Sequence, residues 1–190
     1  MKIAAAPRIL AVAGLCAAAL TGLVISEGMA RRAGQEITLS MAAVDPRALL
    51  SGHYVALNFT ERLEHGEACP ESGDWEWLAL RPAGDVYELA GGAASREQAQ
   101  LIGSTPVKGT FTCSAPTPID GGETIPGWVR LDIGVDRFHI NQADAENIER
   151  VLRDQNAAEE TRAFAILSVG RDGRARLKGL QIDGERFDLR

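Results

Sequence analysis

The first strong pattern along the chain is an uninterrupted apolar run near its start. The 18 residues between Arg8 and Glu27 carry no charge, and as an α-helix they would extend for roughly 27 Å, close to the hydrocarbon thickness of a bilayer. Lys2 and Arg8 precede the run, which favours a cytoplasmic N-terminus. The pattern predicts a cytoplasmic N-terminus and transmembrane signal-anchor over residues 1–30, a short linker over 31–35, and one extracytoplasmic domain over 36–190.

A cleaved signal peptide is the alternative for this segment. Gly28-Met29-Ala30 offers the small residues that signal peptidases prefer at a cleavage site. The apolar run is long for a signal peptide, however, and Arg31-Arg32 would follow the cleavage site directly. The uncleaved anchor is therefore the preferred interpretation.

Beyond the anchor, apolar and polar residues alternate at the period of β-strands. Ile37, Leu39 and Met41 occupy every second position and predict a half-buried strand over residues 36–44. Similar runs predict strands at 53–59, 75–80, 85–89, 107–113, 128–133, 135–140, 163–169, 174–182 and 186–189. Asp172-Gly173 stands between two of them and is a strong signal for a hairpin turn.

One segment of the domain has helical periodicity instead. Ile148, Val151 and Leu152 fall on one face of a helix over residues 141–155. The predicted fold class is α+β, with one N-terminal transmembrane helix followed by a mostly antiparallel β-rich domain that carries one main amphipathic helix.

The three cysteines separate into one residue in the anchor and two in the domain. Cys16 lies in the apolar run, whereas Cys69 and Cys113 lie beyond it. Two cysteines in an exported domain favour a Cys69–Cys113 disulfide, which would stabilise the fold by about 4 kcal/mol through the loop that it closes. Metal binding is the alternative, but no His or Cys stands at ligand spacing from either residue.

Charge limits the range of partners. The chain has a net charge of −6, and no basic cluster appears along it, so we expect neither nucleic-acid binding nor attraction to anionic lipid. The histidines His53, His65 and His139 are scattered and lack metal-ligand spacing. We expect no cofactor and no metal.

The stretch "VDPRALLSGHYVALNF", residues 44–59, resembles the signature of the GDYXXLXY family of membrane-anchored bacterial envelope proteins. That signature reads Gly-Asp-Tyr-x-x-Leu-x-Tyr after a Val-Asp-Pro-Arg-x-Leu step. The matching residues here are Val44, Asp45, Pro46, Arg47, Leu49, Gly52, Tyr54 and Leu57. The resemblance implies a single-pass inner-membrane protein and, since such proteins tend to be encoded beside a multi-pass membrane protein, a partner of that kind.

Two departures bear on what the signature does. His53 replaces the Asp of the motif and Phe59 replaces its final Tyr. Because His is a poor substitute for a carboxylate as a general acid or a metal ligand, the replacement favours a structural role. Pro46 and Asp45 suit a β-turn, and Gly52 suits the entry to a strand with Val55, Leu57 and Phe59 buried. A binding or catalytic role for the signature is the alternative.

A second resemblance carries a different function. Ser40-Met41, followed by Pro46 and Gly52-x-x-Val55, is similar to the arrangement in signal peptidases, which use a Ser nucleophile with a Lys base. Lys108 could supply the base. Against this, the spacing from Ser40 to Gly52 is too long and the motif Asp is absent. We therefore expect a non-catalytic interaction or accessory subunit, with a serine hydrolase built on Ser40 and Lys108 as the alternative.

Overall fold

The structure is a computed structural model that describes residues 5–41, 54–63, 66–71, 73–119, 124–139, 163–182 and 184–188. Within these residues the helices are α1 (Ala5–Ala33) and α2 (Arg96–Ile102). The strands of the first half are β1 (Gln35–Met41), β2 (Tyr54–Ala56), β3 (Phe59–Leu63), β4 (Trp77–Ala83), β5 (Val86–Ala93), β6 (Thr105–Lys108) and β7 (Thr110–Ser114). Those of the second half are β8 (Thr117–Pro118), β9 (Thr124–Ile125), β10 (Gly127–Asp132), β11 (Arg137–His139), β12 (Ala163–Val169), β13 (Ala175–Ile182) and β14 (Glu185–Asp188).

The strands form one large sheet and three smaller ones. The seven-stranded sheet has the order β14-β13-β12-β1-β5-β4-β6, and the three-stranded sheet has the order β3-β10-β7. Every pairing in the large sheet is antiparallel except that of β1 with β5, which are parallel and pair only at Leu39 and Tyr87. The two-stranded sheets join β11 to β2 and β8 to β9.

The core lies between the inner faces of the two larger sheets. The alternation predicted for β1 is confirmed, because Ile37, Leu39 and Met41 are buried. They belong to one apolar cluster with Val129 and Leu131 of β10, which shows that the two sheets pack on each other. The predicted turn at Asp172-Gly173 is also present, and Gly173 has a φ of +76° that favours glycine.

Helix α1 precedes this domain and has no buried face. Its side chains from Arg8 to Met29 are exposed, and the helix is long and apolar enough to cross a membrane. It continues through Arg31 and Arg32 to Ala33, so Gly34 alone separates it from β1. The predicted linker over residues 31–35 is thus mostly helical.

Two predicted strands are each divided between two sheets. The strand predicted over residues 107–113 breaks at Gly109 into β6 and β7, which belong to the seven-stranded and the three-stranded sheet. The strand predicted over residues 53–59 is interrupted at Leu57-Asn58, and its two parts enter different sheets. The sequence pattern also missed α2, a short helix that Ser95 caps by accepting a hydrogen bond from the Gln98 N–H. The helix predicted over residues 141–155 lies outside the described residues.

Candidate functional site

An ion-pair network ties the C-terminal end of α1 to the β12–β13 hairpin. The Arg176 Nε donates to Glu27 Oε1 at 2.7 Å, and its Nη2 donates to Asp172 Oδ2 at 2.9 Å. The Arg176 side chain is only 11% exposed. Its hydrogen bond to Asp172 is the main reason that the pKa of Asp172 falls to about 2. The network fixes the hairpin turn beside Glu27, the first charged residue after the apolar run.

Gly34 makes the second contact between the helix and the sheet. A Cβ at Gly34 would lie 2.8 Å from the carbonyl oxygen of Val169 and would overlap the hydroxyl of Ser168. Only a glycine therefore allows α1 to approach β12 this closely. The helix and the domain meet without a flexible tether.

The predicted disulfide is present. Cys69 and Cys113 are bonded, with their Cα atoms 5.9 Å apart. Cys113 lies on β7 and packs against the core, so the bond fastens the segment before β4 to the three-stranded sheet. Cys16 is unbonded and exposed on α1.

The structure describes only the second half of the family signature. Asp45, Pro46, Arg47, Gly52 and His53 lie outside the described residues. Tyr54 begins β2 and pairs with His139 of β11.

Two signature residues belong to the core. Leu57 is 9% exposed and Phe59 is 3% exposed, and both pack in the main apolar cluster. The backbone N–H of Leu57 donates to the Asp136 carbonyl at 2.9 Å, where the chain crosses from one sheet to the other. These contacts agree with a structural role for this half of the signature.

The structure does not bring Ser40 and Lys108 together. Ser40 lies on β1 and Lys108 lies on β6, with β5 and β4 between them. At about 4.8 Å between neighbouring strands, three strand spacings separate the two residues by roughly 14 Å along the sheet. A nucleophile and its base need a separation near 3 Å.

A cavity of about 450 Å³ opens between β1, β3 and β5. Its polar lining comes from three carboxylates, two guanidinium groups and two hydroxyls (Glu61, Glu67, Glu88, Arg62, Arg81, Ser40 and Thr60). At its wall both carboxylate oxygens of Glu61 accept from the Leu89 N–H, at 3.1 and 3.2 Å. This carboxylate thereby satisfies a β5 donor beyond the point where β5 pairs with β1.

Burial dominates the electrostatics of Glu61. Its pKa is raised to about 7, mainly by loss of solvent, and the neighbouring charge of Glu88 acts in the same direction. The hydrogen bond from Leu89 and the positive charge of Arg81 act in the opposite direction. Glu61 can therefore gain or lose a proton near neutral pH, and the cavity can hold a small polar group.

Sequence reasoning did not identify Glu61, although a signal was present. In β3 the residues Phe59, Glu61 and Leu63 lie on the same side of the strand, where Phe59 is buried in the core and Leu63 packs against it. A charged residue at an inward position of such a pattern indicates either a buried polar contact or a site. Among the described residues, no group of three His, Cys, Asp or Glu side chains is arranged to hold a metal ion.

An apolar groove of about 450 Å³ lies on another face, beside α2. Leu101 and Ile102 border it and are 89% and 49% exposed. The ring of Trp75 packs against Gly92 at its floor, and the indole N–H donates to the Glu71 carbonyl at 3.0 Å. Exposed apolar residues of this size are more typical of contact surfaces than of solvent-facing helices.

Comparison with known proteins gives one finding. The family model described as GDYXXLXY protein matches residues 16–180. The comparison with curated proteins gives no match, and neither does the comparison with solved structures. The matched region begins within α1 and ends within β13, so it includes the C-terminal part of the apolar helix together with most of the domain.

Proposed function

The chain belongs to the GDYXXLXY protein family, and on this premise we propose that it is an inner-membrane, single-pass envelope protein whose domain lies outside the cytoplasm. Its role is that of a non-catalytic accessory subunit for a multi-pass membrane protein. The observation that carries the proposal is the exposed apolar helix joined directly to a disulfide-bonded domain.

Anchoring is supported by the exposure of α1. An apolar helix of a water-soluble protein buries one face, whereas the side chains of α1 from Arg8 to Met29 are exposed. Hydrocarbon is the solvent in which such a helix is stable. Lys2 and Arg8 before the run favour retention of the N-terminus in the cytoplasm.

An extracytoplasmic location of the domain is supported by the disulfide. Structural disulfides persist in oxidising compartments and are rare in the cytoplasm of mesophiles. Cys69 and Cys113 form such a bond. The disulfide after the helix therefore supports this topology independently of the charges that flank the helix.

An accessory role is supported by the groove beside α2 and by the separation of Ser40 from Lys108. The groove exposes apolar side chains on the surface of the domain, and such patches are common at protein interfaces. The partner class follows from the family resemblance, which implies a neighbouring multi-pass membrane protein.

Topology and partner binding can be tested separately in native membranes. A reporter fused after Arg190 should be active outside the cytoplasm, and the chain should remain in membranes after carbonate extraction. Recovery of a soluble mature chain that begins at Arg31 would refute the anchor.

Co-purification with a multi-pass membrane protein tests the accessory role. Leu101→Asp should reduce that co-purification, because it places a charge on the apolar groove. Glu97→Lys, an exposed change on the same helix, is the matched control and should retain the partner. Equal recovery with wild type and Leu101→Asp would exclude the groove as the contact surface. A serine-directed active-site probe that labels wild type but not Ser40→Ala would instead support the hydrolase.

A further inference from the structure

We propose that the β12–β13 turn and the outer end of α1 form a cationic surface that binds the headgroups of anionic phospholipids. We call this the turn–helix surface and define it by Arg31, Arg32, Arg171, Arg174 and Lys108. The inference rests on the proposed anchoring of α1 and deepens it, since it states which lipid the domain contacts and through which residues.

The hairpin turn lies beside the residue at which the apolar run of α1 ends. Arg176 and Asp172 of the hairpin reach Glu27 through the ion-pair network described above. From Glu27 to Ala33 the helix rises about 9 Å at 1.5 Å per residue, and each headgroup layer of a bilayer is about 5–8 Å thick. Glu27 ends the uncharged run, so the turn lies at the level of the headgroups when α1 crosses the membrane.

The end of α1 and the turn carry a local positive charge. Residues 27–34 and 170–176 together contain five arginines and two carboxylates, a net charge of +3, in a chain whose net charge is −6. Both carboxylates, Glu27 and Asp172, are paired with Arg176. Arg32, Arg171 and Arg174 are exposed. These cations come from segments about 140 residues apart, which is why no basic cluster is visible along the sequence.

A cavity of about 490 Å³ lies beside the turn. Arg174 and Lys108 line it, together with Thr110 and Asp132. One oxygen of Asp132 already accepts from the Gly134 N–H at 3.1 Å. Two cations and a hydroxyl therefore face one engaged carboxylate, a balance that favours a phosphodiester anion.

Contacts of the turn hold this cavity in place. The Lys108 backbone N–H donates to the Gly173 carbonyl at 2.8 Å, and the Lys108 ammonium lies 5.4 Å from the centre of the Trp77 ring. A Cβ at Gly173 would overlap that ring. These contacts place Lys108 beside the turn, next to Arg174.

Native mass spectrometry of the full chain in non-ionic detergent tests the proposal. Phosphatidylglycerol should be retained at concentrations at least tenfold lower than phosphatidylcholine, since each Lys or Arg near an anionic surface strengthens binding by about fivefold and several act together. Arg171→Glu/Arg174→Glu should weaken phosphatidylglycerol binding by about tenfold or more. Arg96→Glu/Arg130→Glu, which makes the same change of charge at exposed residues elsewhere, should bind as wild type does.

Three outcomes would overturn the proposal. The first is equal retention of the two lipids, and the second is an equal loss of phosphatidylglycerol binding in the two double variants. The third is displacement of phosphatidylglycerol by inorganic phosphate at matched concentration, which would assign the site to free phosphate. Carbonate extraction keeps this test separate from the anchor. Release of the wild-type chain by carbonate refutes anchoring whatever the lipid preference, whereas a chain that stays in the membrane without lipid preference refutes only the turn–helix surface.

Discussion

Replacing Glu61 by Gln should stabilise the domain at pH 8 and leave its stability nearly unchanged at pH 4. The amide oxygen of Gln can still accept from the Leu89 N–H, so the hydrogen bond to β5 is retained while the titratable group is removed. The wild-type carboxyl must ionise above its raised pKa in a position that is partly withdrawn from water.

The sign of the pH dependence follows from the direction of the pKa change. Glu61 titrates at about 7 in the folded chain against an ordinary value of 4.5, so between these values the folded state binds more protons than the unfolded state. The free energy of unfolding therefore falls as pH rises from 4.5 to 7, and it is flat above that range. The full difference corresponds to about 3 kcal/mol, and residual solvent contact reduces the expected effect to about 1–2 kcal/mol.

Urea unfolding of the full chain in detergent, with the disulfide intact, measures this effect between pH 4 and pH 8.5. Glu185→Gln is the control, because it removes an exposed carboxylate and should change stability by less than about 0.5 kcal/mol at either pH. A Glu61→Gln variant that is less stable than wild type at pH 8 would show that the ionised carboxylate stabilises β5 where it diverges from β1. A difference that does not vary with pH would refute the electrostatic argument as well.

Three further predictions concern stability and use the same unfolding assay. Leu57→Ala should cost about 2–4 kcal/mol, because it opens a cavity in the core; a cost below about 0.5 kcal/mol would contradict the structural role of the signature. Cys69→Ser/Cys113→Ser should cost about 3–4 kcal/mol, and a reducing agent should destabilise wild type but leave this variant unaffected. Gly173→Ala should cost more than Gly184→Ala, because both glycines have positive φ but only Gly173 has an indole ring in the path of a Cβ; equal costs would show that the ring can move aside.

Local patterns predicted the elements whose signal is contained in a few neighbouring residues. The alternation in β1, the Asp172-Gly173 turn and the Cys69–Cys113 bond were all predicted correctly. Strand alternation could not show that the chain changes sheets at Leu57-Asn58, since that break depends on the Leu57 N–H finding Asp136, a residue distant in sequence. The seven residues of α2 were too few to show helical periodicity against the surrounding strands.

The candidate sites depend even more on distant contacts. The Glu61 cavity needs β1, β3 and β5 to meet, and the sequence offers only an inward-facing charge as a signal. The turn–helix surface joins Arg31 and Arg32 to Arg171 and Arg174, and only the folded hairpin brings them to one end of the molecule. Such proximity has no counterpart in composition or spacing.

The one-residue connection between α1 and β1 determines how the domain can move. With α1 in a membrane as proposed, a flexible tether would let the domain rotate freely above that membrane. Gly34 and the Arg176 ion pairs instead make the helix and the sheet move together. For a domain of this size, about 40 Å across, a 20° change in helix tilt would displace its far end by roughly 14 Å. Rotation of the helix about its own axis would likewise decide which face of the domain a neighbour meets. A protein that binds α1 within the bilayer would thereby change the orientation of the groove beside α2 without contacting the groove.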